Sequence, residues 1–156
     1  MSAFNMADQL SYIDNPVFSQ FAFYGSILIG KTVLMSPLTG LFRMKNETFS
    51  NPEDLKLGAP GIKVNFNDQT VERIRRCHQN DLENILPFAV IGVLYVLSDP
   101  LPNVARRLFQ TFTAARLIHT VAYLAPLPQP IRFLAFGVGA VVNMIMVGRV
   151  IICGTL

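Results

Sequence analysis

Apolar runs close to the length needed to cross a bilayer constrain this chain more than any other feature. One is Val17–Phe42, containing FAFYGSILIGKTVLMSPLTGLF, and another is Ile131–Ile152, almost wholly apolar. About 20 residues at 1.5 Å each cover the ~30 Å hydrocarbon core of a membrane. In that core the backbone must satisfy its own N–H and C=O groups, as a helix does within one segment. Composition agrees. Of the 156 residues 51% are hydrophobic and only 15% charged, against about 25% charged in an ordinary soluble domain. The mean hydropathy is +0.40. The formal charge of +3 is spread sparsely between apolar runs, unlike the clustered basic patch of a nucleic-acid-binding domain, so no nucleic-acid partner is expected.

The chain is long enough for one domain, 1–156, and not for two. Four membrane helices are expected: 17–42, 71–97, 104–124 and 131–152, with a polar loop over 43–70. The loop is marked by Asn51-Pro52-Glu53-Asp54 and Gly58-Ala59-Pro60-Gly61, and Ser50 or Asn51 can cap a turn starting at Pro52. The second span is unusual. Its clearly apolar part, Ile85–Leu97, is too short to cross. Joined to VERIRRCHQNDLEN upstream, with Asp68 or Thr70 as N-cap, it becomes a helix of roughly 40 Å, half charged and half apolar, with Pro87 expected to kink it. The first connection carries Arg43, Lys45, Lys56, Lys63, Arg73, Arg75 and Arg76, while Met1–Asn15 carries no Lys or Arg. By the positive-inside rule that connection is cytosolic and both termini lie opposite. Met1–Asn15 also lacks the basic start of a secretory signal, so the first apolar run is expected to stay as a span.

The charges within the second and third helices form a pattern. Arg73, Arg76, Asn80 and Glu83 are spaced by three, four and three residues and share one helical face; Arg75, Gln79 and Leu82 flank it. Arg116, His119, Thr120 and Tyr123 share a face on the third helix. An Arg at bilayer depth costs at least ~2.5–3.5 kcal/mol, so such residues face the interior and find partners. The plainer reading is an ion pair of Glu83 with Arg116 and the other arginines among lipid head groups. It accounts for one Arg and leaves the remaining set of Arg, Asn, His and Tyr without a purpose. Several arginines suit carboxylates or phosphates, a carboxylate among them suits an ammonium, and Asn and Tyr add neutral hydrogen bonds. A small zwitterion with two carboxylates, one amine and a thiol fits, because nearby cations favour a thiolate. Glutathione has these groups, and an anionic lipid head group fits the arginines as well.

VERIRRCHQNDLENILPF (71–88), FSNPEDL (49–55) and ARLIHTVAYLAPLPQPIR (115–132) resemble three blocks of the membrane-associated eicosanoid and glutathione metabolism (MAPEG) family, and the likeness runs through all four expected spans. The resemblance implies an all-α membrane protein, a four-helix bundle assembling as a homotrimer in the endoplasmic reticulum or outer mitochondrial membrane. It implies glutathione bound between neighbouring subunits and open to the cytosol, with apolar electrophiles or hydroperoxides arriving from the membrane lipids. The implied activity is glutathione transfer with associated peroxidase capacity. The alternatives within the family are a prostaglandin E synthase-type isomerase and a non-catalytic lipid-binding scaffold. The implied glutathione contacts are Arg43, Arg73, Arg75, Arg76, His78, Asn80, Glu83, Arg116, His119 and Tyr123, and Arg132 is the implied catalytic arginine beside the thiol. Two positions depart from the family's patterns. Leu55 stands where a cysteine that senses oxidants often follows NPED, and Phe133 stands where the prostaglandin synthase branch has serine.

Other residues carry weaker signals. Cys77 lies between Arg76 and His78, which favours a thiolate, though an inert thiol is the simpler expectation. Lys31 interrupts the first span and is either a pocket residue or, as the simpler expectation, paired with a carboxylate across the bundle. Asp54 either orients an arginine or sits in a helix first turn, where an acid is favoured. The two histidines and two cysteines have no zinc-site spacing, so no metal is expected.

Overall fold

The computed structural model describes residues 15–154. These form four long α-helices and one short 3-10 helix: α1 (Pro16–Lys45), the 3-10 turn Pro52–Leu57, α2 (Gln69–Leu97), α3 (Pro102–Leu124) and α4 (Gln129–Gly154). The first apolar run becomes helical because its start is well capped. Asn15 Oδ1 accepts from the Val17 and Phe18 N–H groups, each at 3.0 Å, and Pro16 occupies a position where its missing N–H is not needed. Arg43 and Lys45 fall in the last turn, favourable against the negative end of the helix dipole. Of the two candidate caps for α2, Asp68 is the one used, its Oδ1 accepting from Val71 N at 2.8 Å. The helix continues unbroken through Pro87.

Cross-helix pairs fix the topology. Lys31 meets Asp81 while Phe21 meets Gly92, so α1 and α2 run antiparallel. Arg116 reaches Asp81 while Phe109 and Phe112 meet Phe88, so α2 and α3 do likewise. Gly139 against Phe112 and Arg132 against Tyr123 set α4 antiparallel to α3. The C-terminal end of α1, the first half of α2, the last half of α3 and the start of α4 therefore share one end of an up-down bundle.

The opposite half holds an aromatic core. Phe88 and Phe112 stack at 4.1 Å, and Phe21, Phe109 and Tyr95 close around them in tilted or edge-on contacts. Gly92 admits Phe21 here: a Cβ on Gly92 would collide with the Phe21 ring. The outside of the bundle is greasy, with Val33, Leu34, Leu86, Val90, Val121, Phe133, Val141 and Ile151 all well exposed. Apolar groups on the outside and charges within are what lipid as solvent requires.

Three helices, α1, α2 and α4, are long and apolar enough to cross a membrane. The expected third span, α3, forms as a helix but is not among them; Arg106, Arg107, Gln110, Arg116 and His119 dilute its apolar character. Its central polar groups, Thr113, Arg116, His119 and Thr120, are buried against the other helices.

Candidate functional site

The charged end of the bundle is organised around Asp81. This residue stands on the buried side of α2, among Ile74, Cys77, Ile85 and Phe88. Its carboxylate takes Lys31 Nζ from α1 at 2.5 Å and Arg116 Nη2 from α3 at 2.7 Å. Arg116 is fully buried, and the same Nη2 donates to Asn80 Oδ1 at 2.8 Å and approaches His119 Nδ1 at 3.4 Å. Lys31 Nζ also donates to Thr120 Oγ1 at 2.6 Å. Counted by formal charge, the two basic side chains and one carboxylate leave this cluster with one net positive charge. Arg116 Nε and Nη1 are buried without a hydrogen-bond partner among the described residues.

From Arg116 the polar groups continue toward the charged end. The His119 and Tyr123 rings lie 5.5 Å apart, and the Arg132 guanidinium sits 5.0 Å from the centre of the Tyr123 ring. This is cation–π geometry, and it directs a half-buried arginine at the start of α4 toward the end of α3.

The sequence-predicted residues divide into three groups around α2. Asn80, Arg116 and His119 belong to the interior cluster, with Tyr123 and Arg132 above it. Arg43, Arg75 and His78 line a cleft of about 500 Å3 between α1 and α2, with Ser36, Thr39, Gly40, Gln79 and Leu82. Arg76 and Glu83 are exposed on another flank of α2, and Arg73 is half-buried. His78 and Glu83, five residues apart, point about 140° apart at 3.6 residues per turn. A single chain does not bring all of these residues together.

Several readings are corrected or resolved. The plainer pairing of Glu83 with Arg116 does not form: Arg116 pairs with Asp81, and Glu83 accepts from Gln79 Nε2 at 3.1 Å. A residue three on from Asn80 looks outward, whereas its immediate neighbour Asp81 looks inward. Lys31 does find a carboxylate across the bundle. Asp54 lies in the first turn of the 3-10 helix and accepts from Asn51 Nδ2 at 2.9 Å. Asn51 is N-cap by position but makes no side-chain capping bond. Cys77 is completely buried beside Met35 and Ile74, away from the surface that Arg76 occupies. Asp81 was missed by the sequence reading, although its signal was present: it is a carboxylate in an otherwise apolar row, Ile74, Asp81, Ile85, Phe88.

Apolar space borders the charged end. A groove of about 470 Å3 between α3 and α4 is lined by Thr111, Ala114, Ala115, Ile118, Ile131, Leu134, Ala135 and Val138. Its lining includes Ile131, the residue before Arg132 at the start of α4.

The MAPEG family model matches residues 21–152, from the first turns of α1 almost to the end of α4. The chain belongs to the MAPEG family. It is 46% identical over 149 residues to microsomal glutathione S-transferase 1 of Homo sapiens, covering 94% of this chain and 96% of that one. The Mus musculus protein of the same name is also 46% identical over 149 residues, with the same coverage. Prostaglandin E synthase of Equus caballus is 37% identical over 129 residues, covering 83% of this chain and 84% of its own. With this membership and three apolar helices of spanning length, the chain is a multi-pass membrane protein of the family.

Proposed function

We propose that this protein is a membrane glutathione transferase that joins glutathione through its thiolate to apolar electrophiles, and that it reduces lipid hydroperoxides as a second activity. The carrying observation is a cationic, hydrogen-bonding surface gathered at one end of the bundle, in a chain similar over nearly its whole length to microsomal glutathione S-transferases. The relation to prostaglandin E synthase is weaker in identity and coverage, so isomerase activity is the less favoured reading.

The site is read as a seam in a homotrimer, in the endoplasmic reticulum membrane, with all four helices crossing and the charged end cytosolic. One wall is Arg43, Arg75 and His78. The other is Arg73, Arg76, Asn80 and Glu83, with Arg116, His119 and Tyr123 behind it. The angle of about 140° between His78 and Glu83 around α2 supports a site completed by a second copy. The arginines hold the glutathione carboxylates by forked hydrogen bonds, and Glu83 holds the amine. Arg132, packed over the Tyr123 ring, favours the thiolate by its charge. The thiolate sulfur attacks the carbon of an aryl halide, the C–S bond forms and the halide leaves. With a hydroperoxide the sulfur attacks the terminal oxygen, the O–O bond breaks and the alcohol leaves. A second glutathione then converts the sulfenic acid to the disulfide and water.

Conjugation of glutathione to an aryl halide by detergent-purified protein tests the reading, with Arg132→Ala and Glu83→Gln alongside. Turnover by the unaltered protein is expected. Arg132→Ala is expected to lose the thiolate absorbance of bound glutathione, and Glu83→Gln to raise KM for glutathione. Absence of binding and turnover in the unaltered protein rejects the assignment. Subunit mixing tests the seam. Arg43→Ala and Glu83→Gln proteins are each impaired alone, and random mixed trimers recover about a quarter of intact seams. No recovery on mixing places the site within one chain.

A further inference from the structure

Two residues of the interior cluster, Lys31 and Asp81, stand outside the proposed glutathione contacts, yet they hold the residues that make those contacts. Lys31 Nζ bridges Asp81 of α2 and Thr120 of α3, fastening three helices at one point. Thr120 directly follows His119 and lies three residues before Tyr123. The Asp81 carboxylate fixes Arg116 Nη2, and that nitrogen also donates to Asn80 Oδ1. With its oxygen held by Arg116, the Asn80 side chain has its amide N–H groups to offer to a further partner. A neutral amide has one acceptor oxygen and one donor nitrogen, so a bond at the oxygen decides which function is offered.

We infer that Lys31 and Asp81 are positioning residues: their ion pair orients Arg116, and through it Asn80, so that the Asn80 amide donates to a carboxylate or peptide carbonyl of bound glutathione. This rests on the glutathione reading above. The pair makes no contact with the reacting sulfur. Its effect is on how tightly glutathione is held and on the alignment of α2 with the His119–Tyr123 face of α3.

The test measures kcat and KM for glutathione in the full-length protein, with Lys31→Met, Lys31→Arg and Asn80→Asp. Lys31→Met leaves a neutral Asp81–Arg116 pair, so the fold is expected to persist. Its KM for glutathione rises about tenfold, the value of one charge-assisted hydrogen bond, while kcat at saturating glutathione is largely kept. Lys31→Arg keeps the charge and restores KM to within about threefold. Asn80→Asp keeps an oxygen for Arg116 but loses the donor, so its KM rises about tenfold as well. A purely structural pair would lower the fraction of active protein, hence kcat, and leave KM unchanged. Unchanged KM in Lys31→Met overturns the proposal. If Lys31→Met does not fold, Thr120→Val removes only the hydroxyl that Lys31 reaches, and an unchanged KM there overturns it equally. Failure of the unaltered protein to bind glutathione is a separate outcome; it removes the functional reading and this inference with it.

Discussion

Replacing Asp81 by Asn is expected to be the most damaging single change in the bundle interior, although Arg116 makes more hydrogen bonds. The ranking follows from charge. In the native cluster Asp81 stands between two cations, at 2.5 Å from Lys31 and 2.7 Å from Arg116. Lys31→Met leaves Asp81 and Arg116 as a neutral pair and removes the uncompensated charge. Arg116→Met leaves Lys31 and Asp81 neutral but forfeits the link to Asn80. Asp81→Asn leaves two cations facing each other across an amide with no anion between them. At a separation of about 5 Å and an effective dielectric constant of about 20, their repulsion is roughly 3 kcal/mol. Removing one partner of a buried ion pair typically costs about 3–5 kcal/mol. The same range is expected for Asp81→Asn, against about 1–3 kcal/mol for Arg116→Met and less for Lys31→Met.

Thermal or denaturant unfolding in a mild detergent, with glutathione absent, measures this order. The decisive comparison is the double variant Asp81→Asn/Lys31→Met. Two independent losses add, whereas relief of repulsion makes the double variant more stable than Asp81→Asn alone. Refutation takes either of two forms: Asp81→Asn unfolding no earlier than Lys31→Met, or the double variant unfolding earlier than Asp81→Asn. Either result means that the carboxylate is not the counter-ion holding these cations in place.

Three further outcomes follow from packing and capping. Gly92→Ala forces a Cβ into the Phe21 ring, itself wedged against Phe88 and Phe109; a loss of about 1–3 kcal/mol is expected, partly recovered by Phe21→Leu, and an unchanged unfolding midpoint refutes the contact. Cys77, being fully buried, should react with a maleimide far more slowly than the half-buried Cys153, as mass spectrometry of partly labelled protein reports; equal rates would show that Cys77 is accessible. Asp68→Ala should cost about 1 kcal/mol by removing the cap on Val71 N, and should speed amide exchange in the first turn of α2 without affecting α4.

How far the bundle could be read beforehand depended on which physical signal each part carried. Apolar length located α1 and α4 because lipid-facing helices must be greasy along most of their surface. The cap Asp68 was legible because capping is local, needing only an acid three residues before Val71. Pairing across helices is not local: a carboxylate partner for Lys31 was legible, but the plainer reading gave Arg116 to Glu83 and not to Asp81. Glu83 and Asp81 are both acids on the same helix, and only the direction in which each points decides which meets Arg116. The apolar row of Ile74, Ile85 and Phe88 marks the inward side, and Asp81 lies in it. Attention to the most charged face instead of the most apolar one led to Glu83.

The same geometry bears on where a ligand can sit. A charged row on a membrane helix is often treated as one surface, but α2 carries two: the cleft wall of Arg75 and His78 beside Arg43, and the flank of Arg76 and Glu83. Gln79, which lines the cleft, donates to Glu83 and joins the two across the exposed side of the helix, while the buried row with Asp81 takes the remaining side. Rotating α2 would leave the angle between these flanks unchanged and would carry Asp81 away from Lys31 and Arg116, leaving three charges unpaired in the bundle interior. With breaking a buried pair costing about 3–5 kcal/mol, the helix cannot turn that far. The buried ion pairs therefore fix which faces α2 presents: Arg75 and His78 toward the cleft with α1, and Arg76 and Glu83 outward.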